Sequence, residues 1–436
     1  MSHSPLLAIS PIDGRYAKQT QILSPFCSEA ALNKYRLQVE IKWLALLKPD
    51  APTEALLAEY DLQAAERIKA IETEIHHDVK AVEYYLSEQV PQYAPWIHFA
   101  CTSEDINNLA YALMLKDCRE QCLLPHYEYI HDCLLRFAHD YASLPMLART
   151  HGQAASPTTV GKEFANIAMR IKHQLTLFRD VPIVGKFNGA TGNFNAHHLA
   201  YPDQDWPMIA QNFVEGLGLH YNSHTTQIEP HDMLAAYMHA IMRLNTILID
   251  FCQDCWGYIS LGYFSQRSEK NHVGSSTMPH KINPIDFENA EGNLGMANAL
   301  MHFFASKLPI SRFQRDLSDS TVLRNIGVAM AHTLIALQSL QKGLNKLAIN
   351  TSKIEEDLAQ HPEILGEAIQ TIMRRYHIPN AYEQLKTFTR GNIIDTDMLH
   401  AFIYSLELPE DIKTKLAMLK PRDYIGLAER LSSNTA

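Results

Sequence analysis

The sequence has few glycines, only 18 among 436 residues. Because glycine is the usual residue of tight turns, this scarcity favours long helices over many short strands. Basic residues are also fewer than acidic ones, 38 against 48, which gives a net charge of −10. This balance argues against nucleic-acid binding, which usually accompanies a basic surface. It leaves room for a small anionic substrate, because a local group of arginines can bind phosphate within an acidic protein.

Cysteine is also scarce, with seven residues scattered along the chain. An odd, scattered set indicates reduced thiols and a cytoplasmic protein. Two pairs, Cys118 with Cys122 and Cys252 with Cys255, have spacings that resemble half of a zinc site. Neither pair is followed by a second Cys or His pair at the spacing of a closed zinc site. We therefore expect no metal and interpret these cysteines as helix-packing residues.

Membrane and export signals are the next features that the sequence lacks. The first ten residues have neither a basic segment nor a long apolar one, so we expect no signal peptide. Residues 234–264 and 325–341 are apolar, but charged or polar side chains interrupt both stretches. The two stretches therefore predict core helices of a large bundle and no membrane-spanning segment.

Hydrophobic periodicity predicts helices in the N-terminal part of the chain. Residues Glu29–Leu47 carry apolar side chains over a broad helical face. A second helical region, 64–87, includes residues 76–78 (His-His-Asp), either inside a helix or at a break in one. Thr102 and the acidic residues after it are typical of a helix start, with a hydroxyl cap and acids in the first turn.

Long helices separated by polar loops are expected from residue 106 to about residue 345. No strand-like alternation is sustained there. The last ninety residues predict shorter helices that are broken at prolines. The sequence therefore predicts an all-α protein whose helices form a central bundle, and the many apolar faces suggest that a homo-oligomer shares this bundle.

Residues 274–284 (Gly-Ser-Ser-Thr-Met-Pro-His-Lys-Ile-Asn-Pro) have the most distinctive composition. Small and hydroxyl residues lead into a predicted helix, for which Asn283 is a suitable N-cap and Pro284 a suitable first residue. Lys281 and Asn283 would then lie at a helix N-terminus, a favourable place for an anionic oxygen. From the residues alone, a solvated loop with an ordinary cap remains an open alternative.

This stretch resembles the signature of the fumarase, aspartase and argininosuccinate lyase superfamily. The resemblance extends from about residue 8 to about residue 425. It is most similar to bacterial members of the adenylosuccinate lyase family, in which His280 occupies a variable position. The segments that carry the narrower resemblance are 13–16 (Asp-Gly-Arg-Tyr), 77–80 (His-Asp-Val-Lys), 102–105 (Thr-Ser-Glu-Asp), 150–153 (Thr-His-Gly-Gln), 226–232 (Thr-Gln-Ile-Glu-Pro-His-Asp) and 315–325 (Arg-Asp-Leu-Ser-Asp-Ser-Thr-Val-Leu-Arg-Asn).

The resemblance implies three helical domains, 1–105, 106–345 and 346–436. The central domain would form a long bundle in a homotetramer, with active sites where loops of different subunits meet. No metal or organic cofactor is implied. The implied activity is β-elimination of fumarate from adenylosuccinate, giving AMP, and from succinylaminoimidazole carboxamide ribotide, in cytoplasmic purine biosynthesis.

The family mechanism needs a base, an acid and fixed donors for a developing dianionic carboxylate. The resemblance assigns the base to Ser275, with Lys281 making its hydroxyl proton easier to remove. It assigns the acid to His151, since an imidazole exchanges protons near neutral pH. Glu288 is expected to orient and charge His151, and His77 is expected to bind the phosphate or to assist the acid.

The resemblance also assigns substrate-binding residues. The phosphate and ribose would be held by Arg15 and Tyr16 on an N-terminal turn, together with Arg315, Ser320 and Arg324. Ser320 and Arg324 are four positions apart, so they would share one face of a helix. A helix N-terminus would take a succinyl carboxylate. The full set is Arg15, Tyr16, His76, His77, Asp78, Thr102, Ser103, Gln153, Gln227, Asn283, Arg315, Ser320 and Arg324.

Two positions depart from the family pattern. Ala154 stands where the family often has proline, which removes some backbone stiffness beside His151. His76 stands where asparagine or threonine is common, so its contribution to substrate contact is open.

Three other functions remain as alternatives. Another superfamily lyase, such as argininosuccinate lyase or a fumarase, is disfavoured by the phosphate-type arginines. A non-catalytic protein on the same scaffold is disfavoured by the presence of Ser275, Lys281, His151 and Glu288. A serine hydrolase is disfavoured because the chain has no Gly-x-Ser-x-Gly turn. Taken singly, each of these histidines and arginines is more often a structural residue, and only their joint match favours the lyase.

Overall fold

The structure is a computed structural model that describes residues 4–267, 278, 281–391 and 394–434. The chain is mostly helical, as predicted. Its N-terminal part contains one long helix among shorter ones. These helices are α1 (Ala17–Thr20), α2 (Ser24–Cys27), α3 (Glu29–Leu47), α4 (Thr53–Ala58), α5 (Leu62–Ile75) and α6 (Asp78–Gln89).

Longer helices dominate the middle of the chain, with two short ones among them. They are α7 (Ser103–Cys118), α8 (Leu124–Asp140), α9 (Val160–Asp180), α10 (Asn195–Ala200), α11 (Trp206–Gly216), α12 (Asp232–Ser260), α13 (Ile285–Lys307), α14 (Ser318–Leu323) and α15 (Ile326–Lys346). A π-helical turn, Arg119–Leu123, separates α7 from α8.

Short helices form the C-terminal part, as the proline breaks predict. They are α16 (Thr351–Ala359), α17 (Gly366–Arg375), α18 (Ala381–Thr389), α19 (Thr396–Ser405), α20 (Glu410–Met418) and α21 (Ala428–Ser433). The prolines at 362, 379 and 409 lie between α-helices, because a proline cannot continue the backbone hydrogen bonding of a helix interior.

The strands form three two-stranded pairs. They are β1 (Pro145–Thr150), β2 (Gln153–Thr159), β3 (Val184–Gly185), β4 (His220–Tyr221), β5 (Phe264–Gln266) and β6 (Leu347–Ile349). The β1–β2 and β5–β6 pairs are antiparallel, and β3–β4 is parallel. The β1–β2 hairpin corrects the sequence interpretation, which had only helices and polar loops between residues 106 and about 345. Its first strand is buried on consecutive residues, so it has no alternating pattern to detect.

The described chain forms two compact units. One comprises Met1–Glu128, Gln174–Ile249 and Asn289–Ser339, and the other comprises Tyr129–His173, Asp250–Glu288 and Leu340–Ala436. We call them the first and the second unit. The division into three domains along the chain remains a prediction.

Each unit has an apolar cluster of its own. In the first unit, α3, α5 and α6 bury aliphatic side chains such as Leu44, Ile68 and Val82. In the second unit, α17 and α19 bury Ile369, Met373 and other side chains. Burial of an aliphatic side chain contributes roughly 1.5–3 kcal/mol, so these clusters stabilise the short helices that form them.

One stretch of the described chain, Ser318–Lys346, is long and apolar enough to cross a membrane by length and composition. Its most apolar window is 61% buried inside the protein, as in the core helix of a globular fold.

Candidate active site

His151 lies at the tip of the β1–β2 hairpin. Thr150 pairs with Gln153, so the turn consists of His151 and Gly152 alone. Their φ angles are +55° and +76°, which are the left-handed values of a type I′ turn. Left-handed backbone is uncommon for residues other than glycine, although histidine adopts it more readily than most. The hairpin thus presents the predicted acid, exposed, at its end.

An ion pair in the second unit holds this hairpin close to its tip. Arg149 of β1 donates a hydrogen bond of 2.6 Å to Asp357 of α16. The Tyr263 hydroxyl donates to the same carboxylate oxygen. Partial burial alone would raise the pKa of Asp357, but the hydrogen bonds from Tyr263 and Arg149 lower it. The carboxylate therefore stays ionised and fixes the strand two residues before His151.

The N-terminus of α13 carries Lys281, Asn283 and Glu288. The helix begins at Ile285, and the Pro284 carbonyl accepts from the Glu288 N–H at 3.2 Å. The predicted N-cap at Asn283 is therefore one residue too early, since Pro284 provides the first intrahelical acceptor. Lys281 is exposed just before the helix.

Glu288 is exposed and accepts a hydrogen bond of 3.2 Å from the Trp256 indole. In the described single chain, no hydrogen bond joins Glu288 to His151. Their pairing stays a prediction. Ser275 and His280 lie outside the described residues.

The His76, His77 and Asp78 segment forms a break between α5 and α6, one of the two arrangements expected. His76 ends α5 with a left-handed φ of +56°. His77 caps α6, since its Nδ1 accepts from the Lys80 N–H at 3.2 Å. In this tautomer Nε2 carries the proton, so His77 presents a donor towards solvent.

Asp78 is bound by two guanidinium groups. Its Oδ2 accepts from Arg36 at 2.6 Å and from Arg324 at 3.0 Å. Burial alone would raise the pKa of Asp78, but the Arg36 charge lowers it below its usual range. Two of the predicted nucleotide-binding residues, Asp78 and Arg324, are thereby in direct contact.

Arg315 contacts two more predicted residues, Gln227 and Ser320. Its Nη1 lies 3.3 Å from the Gln227 side-chain oxygen, and its Nη2 lies 3.2 Å from the Ser320 hydroxyl. Nη1 also lies 3.1 Å from the carboxylate of Glu104, which is 2% exposed. Ser320 belongs to α14, and Arg324 follows directly after that helix. The shared face of Ser320 and Arg324 stays a prediction.

Thr102 and Ser103 lie at the start of α7, as predicted. Thr102 is the N-cap residue, and its N–H donates to the Asp105 carboxylate at 2.9 Å. This half of a capping box satisfies one of the N–H groups that a helix leaves without an internal acceptor.

The N-terminal turn with Arg15 and Tyr16 is held to α13. The Tyr16 hydroxyl accepts from the Asn289 amide at 3.0 Å. The Arg15 guanidinium is exposed and lies 6.0 Å from the Tyr16 ring. No hydrogen bond among the described residues joins either side chain to Arg315 or Asp78.

Gln153 is exposed beside the hairpin tip in the second unit. The predicted residues thus fall into two sets. In the first unit, Arg315 contacts Gln227 and Ser320, and Arg324 contacts Asp78. The set in the second unit comprises His151, Gln153, Lys281, Asn283 and Glu288.

Several polar residues of the site were not assigned a role from the sequence. Glu104, Glu229 and His231 line a narrow cavity of about 40 Å³ in the first unit. The His231 ring lies 3.8 Å from Glu229 and 3.9 Å from Asp319, and all three are buried. These residues could have been found from the sequence, because each belongs to a segment that carries the family resemblance.

Comparison with known proteins agrees with these observations. Residues 38–298 match the family model described as "Lyase", and residues 311–425 match "Adenylosuccinate lyase C-terminal". The chain is 52% identical to the adenylosuccinate lyase of Legionella pneumophila (strain Corby), with 99% of each protein covered. It is 48% identical to the adenylosuccinate lyase of Escherichia coli (strain K12), with 98% of each covered.

Two solved structures have the same fold. A fumarate lyase from Mesorhizobium sp. BNC1 superposes with a TM-score of 0.78 at 17% identity, covering 95% of this chain and 97% of that one. The 3-carboxy-cis,cis-muconate lactonizing enzyme from Pseudomonas putida superposes with a TM-score of 0.74 at 20% identity, covering 95% and 96%.

Proposed function

Since this chain belongs to the adenylosuccinate lyase family, we propose that it cleaves adenylosuccinate to AMP and fumarate. By the same reaction it releases fumarate from succinylaminoimidazole carboxamide ribotide. The observation that carries this proposal is the cluster in which Arg315 contacts Gln227 and Ser320 while Arg324 contacts Asp78. Guanidinium groups with fixed hydroxyl and amide neighbours suit a phosphorylated substrate.

The reaction requires a proton transfer on each side of the bond that breaks. Ser275 removes a proton from the succinyl carbon adjacent to the one that bears the nitrogen. As the carbon–carbon double bond of fumarate forms, the carbon–nitrogen bond breaks. His151 then gives a proton to the departing nitrogen, so charge does not accumulate on the leaving group.

The carboxylate next to the removed proton gains negative charge in the transition state. Lys281 and the N-terminus of α13 would stabilise that charge, because cations and unpaired N–H groups already in place need no reorganisation. Thr102 and Ser103 at the start of α7 would bind the other carboxylate.

The assembly that completes the site is a homotetramer in this proposal. Exposed His151 at a hairpin tip and exposed Glu288 on α13 support it, since each would find its partners on a neighbouring subunit. Large apolar side chains that are about half exposed on long helices support it as well, because a neighbouring subunit that covers them would remove apolar surface from water. They include Trp256, Met296 and Phe303. The enzyme would act in the cytoplasm.

The test is fumarate release from adenylosuccinate by the purified protein, with Ser275→Ala alongside. We expect rapid release by the wild type and a fall of several orders of magnitude in the folded variant, as for an essential proton-transfer residue. A wild type that is inert on adenylosuccinate but active on argininosuccinate or malate would assign the chain to another lyase activity. Inertness on all three substrates would indicate a non-catalytic protein.

A further inference from the structure

Two of the three arginines predicted to hold the nucleotide have a carboxylate partner. Arg315 lies 3.1 Å from Glu104, and Arg324 lies 3.0 Å from Asp78. An arginine side chain has several rotatable bonds, so one without such a partner would lose considerable rotamer freedom when it binds a ligand.

These two carboxylates are themselves connected. The Asn107 amide donates a hydrogen bond of 3.0 Å to Glu104 and accepts one of 2.8 Å from Arg36 Nε. The same Arg36 donates at 2.6 Å to Asp78. An unbroken series of contacts therefore runs between Arg315 and Arg324. We call this series the arginine relay: Arg315, Glu104, Asn107, Arg36, Asp78 and Arg324.

The middle of the arginine relay is buried. Glu104, Asn107 and Arg36 are 2%, 9% and 3% exposed. Buried charges are tolerated only when they are paired and hydrogen-bonded, and here each charge has an oppositely charged or amide neighbour. The Asn107 amide has one orientation that serves both neighbours, because its NH₂ must face the carboxylate and its oxygen must face the guanidinium.

Arg36 and Arg324 share Asp78 as their carboxylate partner. Asp78 accepts from a buried arginine, Arg36, and from a half-exposed one, Arg324. When Arg324 turns from Asp78 to a phosphate, Asp78 keeps Arg36 as a partner. The carboxylate is thus never left buried and unpaired, so ligand binding does not carry that cost.

We propose that Glu104, Asn107 and Arg36 are positioning residues that hold Arg315 and Arg324 at a fixed spacing before the nucleotide binds. The proposal rests on the proposed function, which makes the phosphate the group that the arginines recognise. It assigns no proton transfer to the three residues. Their effect passes through the arginines and falls on nucleotide affinity.

The test is Asn107→Leu, which breaks the relay without removing a charge. The matched control is Asn33→Leu, because Asn33 is also buried and accepts from the same guanidinium at 3.1 Å but lies outside the relay. We measure KM and kcat for adenylosuccinate, KM for succinyladenosine, which lacks the phosphate, and Kd for AMP by calorimetry.

For Asn107→Leu we expect KM for adenylosuccinate and Kd for AMP to rise about tenfold while kcat stays within about threefold. A contact that holds the bound substrate and the transition state equally affects KM alone when it is lost. The change with succinyladenosine should be at least about threefold smaller, and Asn33→Leu should stay within about threefold of wild type. Equal effects of the two variants, or equal effects with and without the phosphate, would overturn the proposal.

A second pair of variants keeps the question open to test if Asn107→Leu does not fold. Asn107→Asp retains an acceptor for Arg36 but places a carboxylate against Glu104, so AMP affinity should fall. In the double variant with Glu104→Gln, the amide introduced at position 104 can donate to the carboxylate introduced at position 107. The arginine relay then has the same total charge as in the wild type, and AMP affinity should return to within about threefold of wild type. No loss in the single variant, or no recovery in the double variant, would overturn the relay. Wild-type activity on adenylosuccinate is measured in parallel, so failure of the proposed function is recognised separately.

Discussion

The ammonium group of Lys186 lies 2.8 Å from the carboxylate of Asp105, and both side chains are completely buried. Lys186 also donates to the Gly189 carbonyl at 3.0 Å. The carboxylate accepts from the Asn188 N–H at 3.0 Å and from the Thr102 N–H at 2.9 Å. This ion pair therefore fastens the loop after β3 to the N-terminus of α7, where a substrate carboxylate is proposed to bind.

Replacement of Lys186 by methionine should be strongly destabilising. It leaves the Asp105 carboxylate buried without its cation, and loss of one partner of a buried pair costs about 3–5 kcal/mol. Unfolding in urea measures the change. The control is Lys162→Met, because Lys162 forms a partly exposed pair with Glu163 and its loss should cost less than about 1 kcal/mol. Similar losses of unfolding free energy in the two variants would show that the burial of the Lys186 ion pair does not increase its contribution to stability.

The contact between Arg149 and Asp357 should matter for catalysis more than for binding. Asp357→Asn weakens the anchor of the hairpin that carries His151, and a small displacement of a catalytic group can reduce a rate by up to about 100-fold. We expect kcat for adenylosuccinate to fall by about tenfold to 100-fold while Kd for AMP is nearly unchanged.

The control for this prediction is Asp250→Asn, which disrupts an exposed ion pair with Arg170 in the same unit and should leave kcat near wild type. An unchanged kcat in Asp357→Asn would mean that the hairpin holds His151 without this anchor.

Local signals explain why most helices were predictable. Residues Glu29–Leu47 form α3 with the predicted bounds because apolar side chains recur at helical spacing. The start of α7 was predictable because Thr102 and Asp105 cap the helix through a contact three residues apart. In both cases the determining interactions lie within a few residues of the element they set.

The hairpin and the arginine relay depend on distant residues, which explains why they were not predicted. In the sequence, Arg36 is only a charged residue within an apolar helical pattern. Its partner Asn107 is 71 positions away. Arg149 meets Asp357 over a separation of 208 positions. The family resemblance gave the roles of Arg315 and Arg324, but it gave no information about which buried groups hold them.

Gly152 offers a direct test of the hairpin turn. Its φ is +76°, and a methyl group added there would meet no atom within 4 Å. Gly152→Ala should therefore lower stability for conformational reasons alone, by about 1 kcal/mol. Gly152→Asn should cost less, because asparagine adopts left-handed backbone more readily. Thermal unfolding of the wild type and the two variants measures their order of stability. If Gly152→Ala is as stable as the wild type, the type I′ turn is contradicted.

Mixing of inactive variants tests the proposal that subunits share active sites. Ser275→Ala and His151→Ala should each be nearly inactive on adenylosuccinate. If a site takes Ser275 and His151 from different subunits, hybrid tetramers contain some sites with both residues intact, so mixing should restore part of the activity. Native mass spectrometry establishes that hybrids form. Hybrids that form without recovery of activity would contradict the shared site.

His98 should make the stability of the first unit depend on pH. Its Nδ1 lies 2.6 Å from Glu40, and Glu83 lies 3.7 Å away. Burial alone would lower the pKa of His98, but the Glu40 charge and hydrogen bond, followed by the Glu83 charge, raise it above its usual value. Because the folded-state pKa is the higher one, His98 stabilises the protein fully below the unfolded pKa of about 6.5.

That contribution is lost as the pH rises from about 6.5 through the raised pKa of the folded protein. His98→Gln should therefore cost about 1.5–3 kcal/mol near pH 6, the contribution of a hydrogen bond to a charged group, and less at pH 9. Urea unfolding of wild type and variant at both pH values measures the difference. A gap that stays constant or widens with pH would mean that His98 is neutral in the folded protein and that Glu40 is not paired with a histidine cation.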